Sequence, residues 1–201
     1  MGWLRNAWKD VDPSVAKSLD ASRKVLLAHF PSVHDAILPE GPWVDAANII
    51  LNCESGSAFS DLIRSGKVAE LNDPLSRIGG YVNQTLSGSD YTSALRIREI
   101  LQRKMTEFFD SYDVLATASL PVPATPLDMD LSKGLAFADP LGAIGNLCGL
   151  PAISVPCGFT DKKLPVGLQF VGRAGDDAAV LQAGRTFQQF TTWHRKHPTL
   201  T

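Results

Sequence analysis

The sequence predicts an α/β protein in which a mixed β-sheet is flanked by helices. Helical patterns alternate with short apolar runs, two of these runs are bounded by Gly and Pro residues, and residues 140–160 carry no charge. The two runs bounded by Gly and Pro are Ala152–Pro156 and Val166–Val171. They are rich in Val, Ile and Phe, which is typical of strands. Because the first of them is almost uniformly apolar, we expect it to be covered on both faces, at the centre of a buried sheet.

The charge-free stretch is long enough to suggest a membrane span. It contains Pro140, Pro151 and Pro156 together with four glycines, and these residues oppose a continuous apolar helix. We therefore assign the whole stretch to the sheet and expect no membrane partner.

Two helices are predicted in the first third of the chain. The first begins at Asp12-Pro13, an N-cap residue followed by proline at the first helical position, and ends at Pro31. A loop follows, with a short strand near Val33–Leu38, and a second helix runs from Val44 to about Arg64. The residues expected to face inward are Val15, Leu19, Leu26 and Phe30 in the first helix, and Ile49, Ile50, Cys53 and Phe59 in the second.

The pattern is weak between Gly66 and Ser89 and then becomes clear again. A helix is predicted from Asp90 to Phe109, a buried strand over Tyr112–Ala118 and a long loop over Pro121–Leu135. The last helix is capped by Asp176 and Asp177, with its inward residues expected at Val180, Leu181, Gly184 and Phe187. No shift in composition marks a boundary, so we expect residues 1–201 to belong to one domain.

Composition excludes several classes of protein. The formal charge of −2 and the pI near 6.1 provide no electrostatic basis for binding nucleic acid or an acidic membrane surface. The first ten residues are too polar for a signal peptide. The three cysteines, Cys53, Cys148 and Cys157, show no metal-binding spacing and no close pair, which favours buried thiols in a reducing cytoplasm.

Three patterns that can indicate chemistry have simpler explanations. Cys157 and His194 could form a thiol nucleophile and its base, but no neighbour in sequence lowers the thiol pKa, so a structural thiol is favoured. His194 and His197 lie in a basic tail without nearby carboxylates, and we predict no metal site. Three glycines at 142, 145 and 149 precede a strand, whereas a phosphate-binding loop follows one.

The segment GLPAISVPCGF (149–159), followed by LPVGLQFVGR (164–173) and an amphipathic helix, resembles the C-terminal part of the amidase signature family. The similarity extends more weakly through YDVLATASLPVPATP (112–126) towards the N-terminus. One departure is Lys163, where relatives usually have glycine. The chain starts immediately before a helix, where relatives have a strand, so we expect a cut through a longer protein.

The resemblance implies an amidase that converts a carboxamide to an acid and ammonia through an acyl-serine intermediate, without metal or organic cofactor. The family's two serines, its lysine and its oxyanion-binding glycine-rich loop belong to the N-terminal half. This chain has no Ser-Ser pair, and Gly79-Gly80 is its only adjacent glycine pair. We therefore expect no catalytic residue here, and we interpret Ser154, inside a strand, as structural.

Two residues resemble substrate contacts of the glutamine-using family members. Arg77 matches an arginine that holds a substrate carboxylate, a task suited to a planar guanidinium. Asp139 matches an aspartate that receives the substrate amino group. The alternatives are a solvated surface arginine and an aspartate that caps the turn before Pro140.

The resemblance leaves three functions open. The chain is the C-terminal half of an amidase, a non-catalytic binding module that docks on a separate partner, or part of a glutamine-dependent amidotransferase subunit. In the first and last cases a small amide is the substrate. If the chain is half of a larger sheet, strands made for the interior of that sheet would leave an exposed edge through which the isolated chain associates.

Overall fold

The computed structural model describes residues 1–129 and 139–197, without the side chains of Pro74 and Leu75. Within them the strands are β1 (Gly2–Leu4), β2 (His34–Ala36), β3 (Val114–Ala118), β4 (Ala152–Phe159) and β5 (Pro165–Gly172). The α-helices are α1 (Pro13–His29), α2 (Trp43–Ala58), α3 (Ser60–Arg64), α4 (Pro74–Asn83), α5 (Gly88–Phe108), α6 (Pro140–Cys148) and α7 (Asp177–Gln189). Short 3₁₀ turns span Lys67–Glu70 and Trp193–Arg195.

The five strands form one mixed sheet in the order β2-β1-β3-β5-β4. β1 pairs in parallel with both β2 and β3, whereas β5 pairs antiparallel with β3 and with β4. The predicted α/β class with a helix-flanked mixed sheet is therefore confirmed. The expectation that the chain starts immediately before a helix is wrong, because strand β1 precedes α1. β1 was missed because three residues are too few to show a strand period.

Both faces of the two central strands β3 and β5 are covered. On one face, Phe170 lies 6.5 Å from Phe30, at the end of α1, and 6.1 Å from Phe187 of α7, measured between ring centroids. On the other face Leu115, Thr117 and Val171 are also buried. Burying large apolar side chains on both faces of β3 and β5 is what holds the sheet inside the protein.

The expectation that β4 is covered on both faces is wrong. β4 is the outermost strand of the described sheet, and Ala152 and Ser154 are exposed while Val155 is buried. The helices reach one face of β4 only, where Ile153 and Val155 pack beside Gly184 of α7. The uniform apolar character of this run therefore does not correspond to uniform burial.

Assignment of the whole charge-free stretch to the sheet is also wrong, because its first part is helix α6. Asp139 is its N-cap, Pro140 follows at the first helical position, and Gly149 ends it in the left-handed conformation with φ of 65°. These are ordinary start and stop signals of a helix. Asp12 and Pro13 begin α1 in the same way.

Most predicted inward positions are buried or half-buried, and two are wrong. Leu181 is 60% exposed and Phe59 is 58% exposed. Leu181 lies one residue beyond buried Val180, which rotates it by about 100° from the face that meets the sheet. Phe59 follows the last residue of α2, where the chain turns into α3, so the helical period no longer applies to it.

Two loop predictions were incomplete. The weak region between Gly66 and Ser89 contains α4 and one 3₁₀ turn. The predicted loop Pro121–Leu135 has no helix or strand up to residue 129, and its remainder lies outside the described residues. In the part of the chain that the structure describes, no helix is long and apolar enough to cross a membrane.

Candidate functional site

Asp139 lies at the N-terminus of α6 and is half-buried. Its Oδ1 accepts a hydrogen bond of 2.7 Å from the backbone N–H of Gly142, which satisfies one of the unpaired donors of the first turn. A Cβ atom at position 142 would collide with Oδ2 of the same carboxylate. Glycine at 142 therefore makes room for the carboxylate that the sequence indicated as a substrate contact.

The opposite end of α6 is held by α5. Arg98 Nε and Gln102 Nε2 donate to the carbonyl oxygen of Leu147 at 2.8 and 2.9 Å. Carbonyl groups at a helix C-terminus lack helical partners, and a nearby cation also favours that end of the helix dipole. These two hydrogen bonds anchor the C-terminal end of α6 to α5. Because a helix is rigid, they also help to position Asp139 at its other end.

Arg77 is an exposed residue of α4. Its Nε donates to the carbonyl oxygen of Leu71 at 2.5 Å. The helices that carry Arg77 and Asp139 both pack against α2, but no hydrogen bond or ion pair between described atoms joins the two side chains. Arg77 thus lies on the surface, and Asp139 caps helix α6, which begins at Pro140, and not a turn before it. Neither placement tests a contact with substrate.

The structure brings together a pair of hydroxyls that was not anticipated from the sequence. Ser119, after β3, and Ser154, in β4, lie on either side of Gly167 in β5, and their Oγ atoms are 2.5 Å apart. A Cβ at Gly167 would come within 2.5 and 2.7 Å of the two hydroxyl oxygens. Glycine in the middle strand is therefore what lets them meet. Nothing in the sequence predicts which residues lie side by side in neighbouring strands, so this pair was missed.

The serine pair lines a cavity of about 350 Å³ at the carboxyl end of β3. Its other walls are apolar, and they include Val122, Pro123 and Pro165. Ligands of open α/β sheets commonly lie beyond the carboxyl ends of the strands. The cavity is small and carries two neutral hydroxyls, which suit hydrogen bonding to an uncharged polar group.

A larger polar cavity of about 700 Å³ lies between α2 and α5. Glu54, Arg64 and Cys53 line it, and the hydroxyl of Tyr91 donates to Glu54 Oε1 at 3.1 Å. This hydrogen bond raises the pKa of Tyr91. This cavity was not predicted from the sequence.

The buried cysteines do not have the properties of nucleophiles. Burial raises the pKa of the Cys157 thiol to about 11, and a hydrogen bond with Ser22 only partly opposes the effect. Burial likewise raises the pKa of Cys148 to about 11. Both are protonated at neutral pH, whereas a thiol nucleophile needs a lowered pKa. Among the described residues, no group of three His, Cys, Asp or Glu side chains could hold a metal ion.

The fold and these side chains define an α/β protein with a helix-flanked mixed sheet and polar groups at the ends of its strands and helices. A family model for amidases matches residues 13–181, most of the chain. The chain therefore belongs to the amidase family.

Curated relatives match part of this chain. A glutamyl-tRNA(Gln) amidotransferase subunit from Chloroflexus aggregans is 39% identical over 112 residues, which are 55% of this chain and 23% of the relative. The corresponding protein of Moorella thermoacetica, with the same name, is 42% identical over 112 residues, with the same coverage. The matched part thus spans about a quarter of the length of these relatives.

Solved structures match nearly the whole chain. An amidase crystal structure superposes with a TM-score of 0.82 at 23% identity, covering 94% of this chain and 45% of that one. A glutamyl-tRNA(Gln) amidotransferase subunit from Thermotoga maritima gives a TM-score of 0.70 at 22% identity, covering 98% and 44%. These likenesses show the fold, and this chain spans less than half of either neighbour.

Proposed function

We propose that residues 1–201 are the C-terminal part of an amidase domain that hydrolyses a carboxamide to an acid and ammonia. The acyl-serine chemistry, with its two serines and lysine, is supplied by a part of the domain outside this sequence. One observation carries the proposal: the amidase family model matches residues 13–181, while the chain covers only 45% of a solved amidase whose fold it shares.

In this proposal Asp139 contributes to the substrate pocket. Its carboxylate is held in place by the Gly142 N–H, and it is half-buried beside a charge-free helix. A carboxylate removed from water gains most from a charged partner, such as the amino group of a substrate. The rigid attachment of α6 to α5 supports this positioning role.

Arg77 is the proposed partner of a substrate carboxylate. Its Nε is engaged with Leu71, which orients the guanidinium while its terminal nitrogens remain suited to paired hydrogen bonds with a carboxylate. Only a substrate that carries both an amino group and a carboxylate would use Arg77 and Asp139 together.

Two substitutions at Asp139 distinguish the effect of its charge from the effect of its capping hydrogen bond. The experiment joins this chain to the N-terminal part of the solved amidase and measures ammonia release from amides. Asp139→Asn keeps an acceptor for the Gly142 N–H but removes the charge, whereas Asp139→Ala removes both. We expect Asn to fold normally and to lower kcat/KM at least about tenfold for an amino-acid amide, mainly through KM.

A neutral amide without an amino group is the matched control substrate, and it should be little affected by Asp139→Asn. Equal kcat/KM for Asp139→Asn and the parent with the amino-acid amide would show that Asp139 only caps α6. The Arg77→Gln variant tests the second contact in the same way, with substrates that have or lack a carboxylate.

The relatives that are amidotransferase subunits favour a second candidate, in which the amide is glutamine and the chain works beside partner subunits. Ammonia release from glutamine but not from simple amides would favour this function. The third candidate, a non-catalytic module, predicts no turnover in any such chimaera that folds.

We place the protein in the cytoplasm. Cys53, Cys148 and Cys157 are all free thiols, and free thiols persist in reducing compartments. The proposal involves no metal or organic cofactor and no nucleic acid or membrane partner.

A further inference from the structure

We propose that the polar cavity between α2 and α5 binds a short peptide by its free amino and carboxylate ends. The cavity has a volume of about 700 Å³, and ligand pockets usually measure roughly 300–1,000 Å³. The described residues that line it lie between positions 53 and 91, far in sequence from either end of the chain. Arg77 and Asp139 are not among them, so the inference does not depend on the amide chemistry proposed above.

Glu54 presents a carboxylate to the cavity, and this carboxylate is held in place. Its Oε1 accepts a hydrogen bond of 3.1 Å from the hydroxyl of Tyr91 on α5, which limits the orientations that the side chain can adopt. No described side chain donates to its Oε2. That oxygen is therefore available to an ammonium group, which forms a strong charge-assisted hydrogen bond with a carboxylate.

Arg64, the last residue of α3, presents the opposite charge. Its guanidinium lines the same cavity and has no hydrogen-bond or ion-pair partner among the described residues. A planar guanidinium suits a carboxylate, with which it forms two parallel hydrogen bonds. The described lining contains one acidic and one basic side chain, Glu54 and Arg64. A ligand with both an amino group and a carboxylate can pair with both, whereas a ligand of one charge sign is repelled by one of them.

Two amide side chains favour a peptide over a single amino acid. Asn83 and Gln84 line the cavity, and each can both donate and accept hydrogen bonds, as a peptide group does. Asn83 is positioned by close packing, because a Cβ at Gly56 of α2 would come within 2.9 Å of the Asn83 carbonyl oxygen. Glycine at position 56 therefore lets the end of α4 lie against α2 and form a wall of the cavity.

Calorimetric titration of the 201-residue protein with triglycine tests the proposal. Two blocked peptides are matched controls: N-acetyl-triglycine lacks the amino charge, and triglycinamide lacks the carboxylate. We expect triglycine to bind at one site and either block to weaken binding at least about fivefold, because each removes a charge-assisted hydrogen bond. Glycine should bind more weakly than triglycine, because it has no peptide group to pair with the two amides.

Glu54→Gln and Arg64→Gln assign each end of the peptide to its partner. Glutamine at position 54 keeps an acceptor for the Tyr91 hydroxyl and removes the charge. In Glu54→Gln the acetyl block should no longer matter, while the amide block still weakens binding; Arg64→Gln should show the reverse. Glu107→Gln and Arg96→Gln make the same charge changes at exposed positions outside the cavity, so they should bind triglycine as the parent does.

Cys53 reports whether the peptide occupies this cavity. It is half-buried and lines the cavity, whereas burial raises the pKa of Cys148 and of Cys157 to about 11. Iodoacetamide should therefore modify Cys53 first. Saturating triglycine should slow this reaction in the parent, and the same concentration should slow it less in Glu54→Gln and in Arg64→Gln.

Four results would overturn the proposal. The first is a parent chain that does not bind triglycine, and the second is equal binding of triglycine and its two blocked forms. The third is binding that neither Glu54→Gln nor Arg64→Gln weakens. The fourth is binding that leaves the modification rate of Cys53 unchanged, because the peptide would then lie elsewhere. Glycine that binds as tightly as triglycine would contradict the assignment to a peptide.

Discussion

At the scale of single residues, small changes in surroundings decide what each reactive group can do. Cys157 and Cys148 have nucleophilic side chains, yet burial keeps both protonated by raising their pKa to about 11. Asp12 and Asp90 show the opposite effect: hydrogen bonds from Ser14 and from Ser87 lower their carboxyl pKa values. The identity of a residue suggests a chemistry, and its contacts determine whether that chemistry is available.

The two buried thiols predict how stability depends on alkaline pH. In the unfolded chain a cysteine pKa is near 9, and in the fold it is about 11 for both residues. As pH rises above about 9 the unfolded state loses these protons first, which favours unfolding. The stabilising contribution of each neutral thiol is therefore complete below pH 9 and is lost as pH approaches 11.

Urea unfolding between about pH 8 and 10 measures this effect, and Cys157→Ala is the control. The parent should lose stability with rising pH more steeply than the variant, by up to on the order of 1 kcal/mol per thiol at about pH 10. Parallel slopes for the two proteins would show that Cys157 does not titrate as its burial predicts.

At the scale of helices and strands, α6 shows how a short element is positioned from both ends. Asp139 satisfies its first turn, while Arg98 and Gln102 bind the carbonyl of Leu147 at the other end. Its nine residues make few internal hydrogen bonds, so an isolated helix of this length is unstable. Its contacts with α2 and α5 provide the stability that its length does not.

Two glycines of α6 provide a matched test of the Asp139 cap. A Cβ at Gly142 would collide with the Asp139 carboxylate, whereas a Cβ at Gly145 meets nothing within 4 Å. We expect Gly142→Ala to displace the carboxylate and destabilise the protein by about 1–2 kcal/mol. Gly145→Ala should be neutral or stabilising by up to about 1 kcal/mol, because alanine is the better helix former.

Thermal and urea unfolding of the two glycine variants provide the comparison. Equal stabilities for Gly142→Ala and Gly145→Ala would mean that the carboxylate of Asp139 does not hold the first turn of α6. That result would also remove the structural support for a fixed Asp139 in the proposed pocket.

Elements with strong local signals could be predicted from the sequence. Three such signals correspond to observed elements: the Asp12-Pro13 start of α1, the apolar residues at helical spacing along α5, and the apolar runs bounded by Gly and Pro that form β4 and β5. Helix α6 has the same Asp-Pro start, followed by Gly149 at its end. It was missed because its internal glycines and lack of charge resemble a buried strand region.

Features that depend on distant parts of the chain could not be predicted. The exposure of Ala152 and Ser154 follows from the position of β4 at the edge, which no local pattern reveals. The meeting of Ser119 and Ser154 depends on strand register and on Gly167 between them. At the candidate site the sequence indicated Asp139 and its capping alternative, but not the arginine and glutamine that hold α6.

At the scale of the whole molecule, the chain matches less than half of a solved amidase that has the same fold. Its mixed sheet is buried on both faces at β3 and β5, whereas Ala152 and Ser154 of the outermost strand, β4, are exposed. The solved amidase that it matches is more than twice as long as the part it covers. The central claim is that this portion supplies part of the pocket and that the acyl-serine chemistry resides in the remainder.

The most direct test is the release of ammonia from simple amides and from glutamine by the purified 201-residue protein. We predict no hydrolysis above the buffer rate, because a serine without a base and oxyanion donors remains an ordinary alcohol. The Ser119→Ala and Ser154→Ala variants are prepared alongside, since their hydroxyls are paired beside a cavity. Turnover by the parent chain that disappears in either variant would contradict the claim and place the chemistry within this sequence.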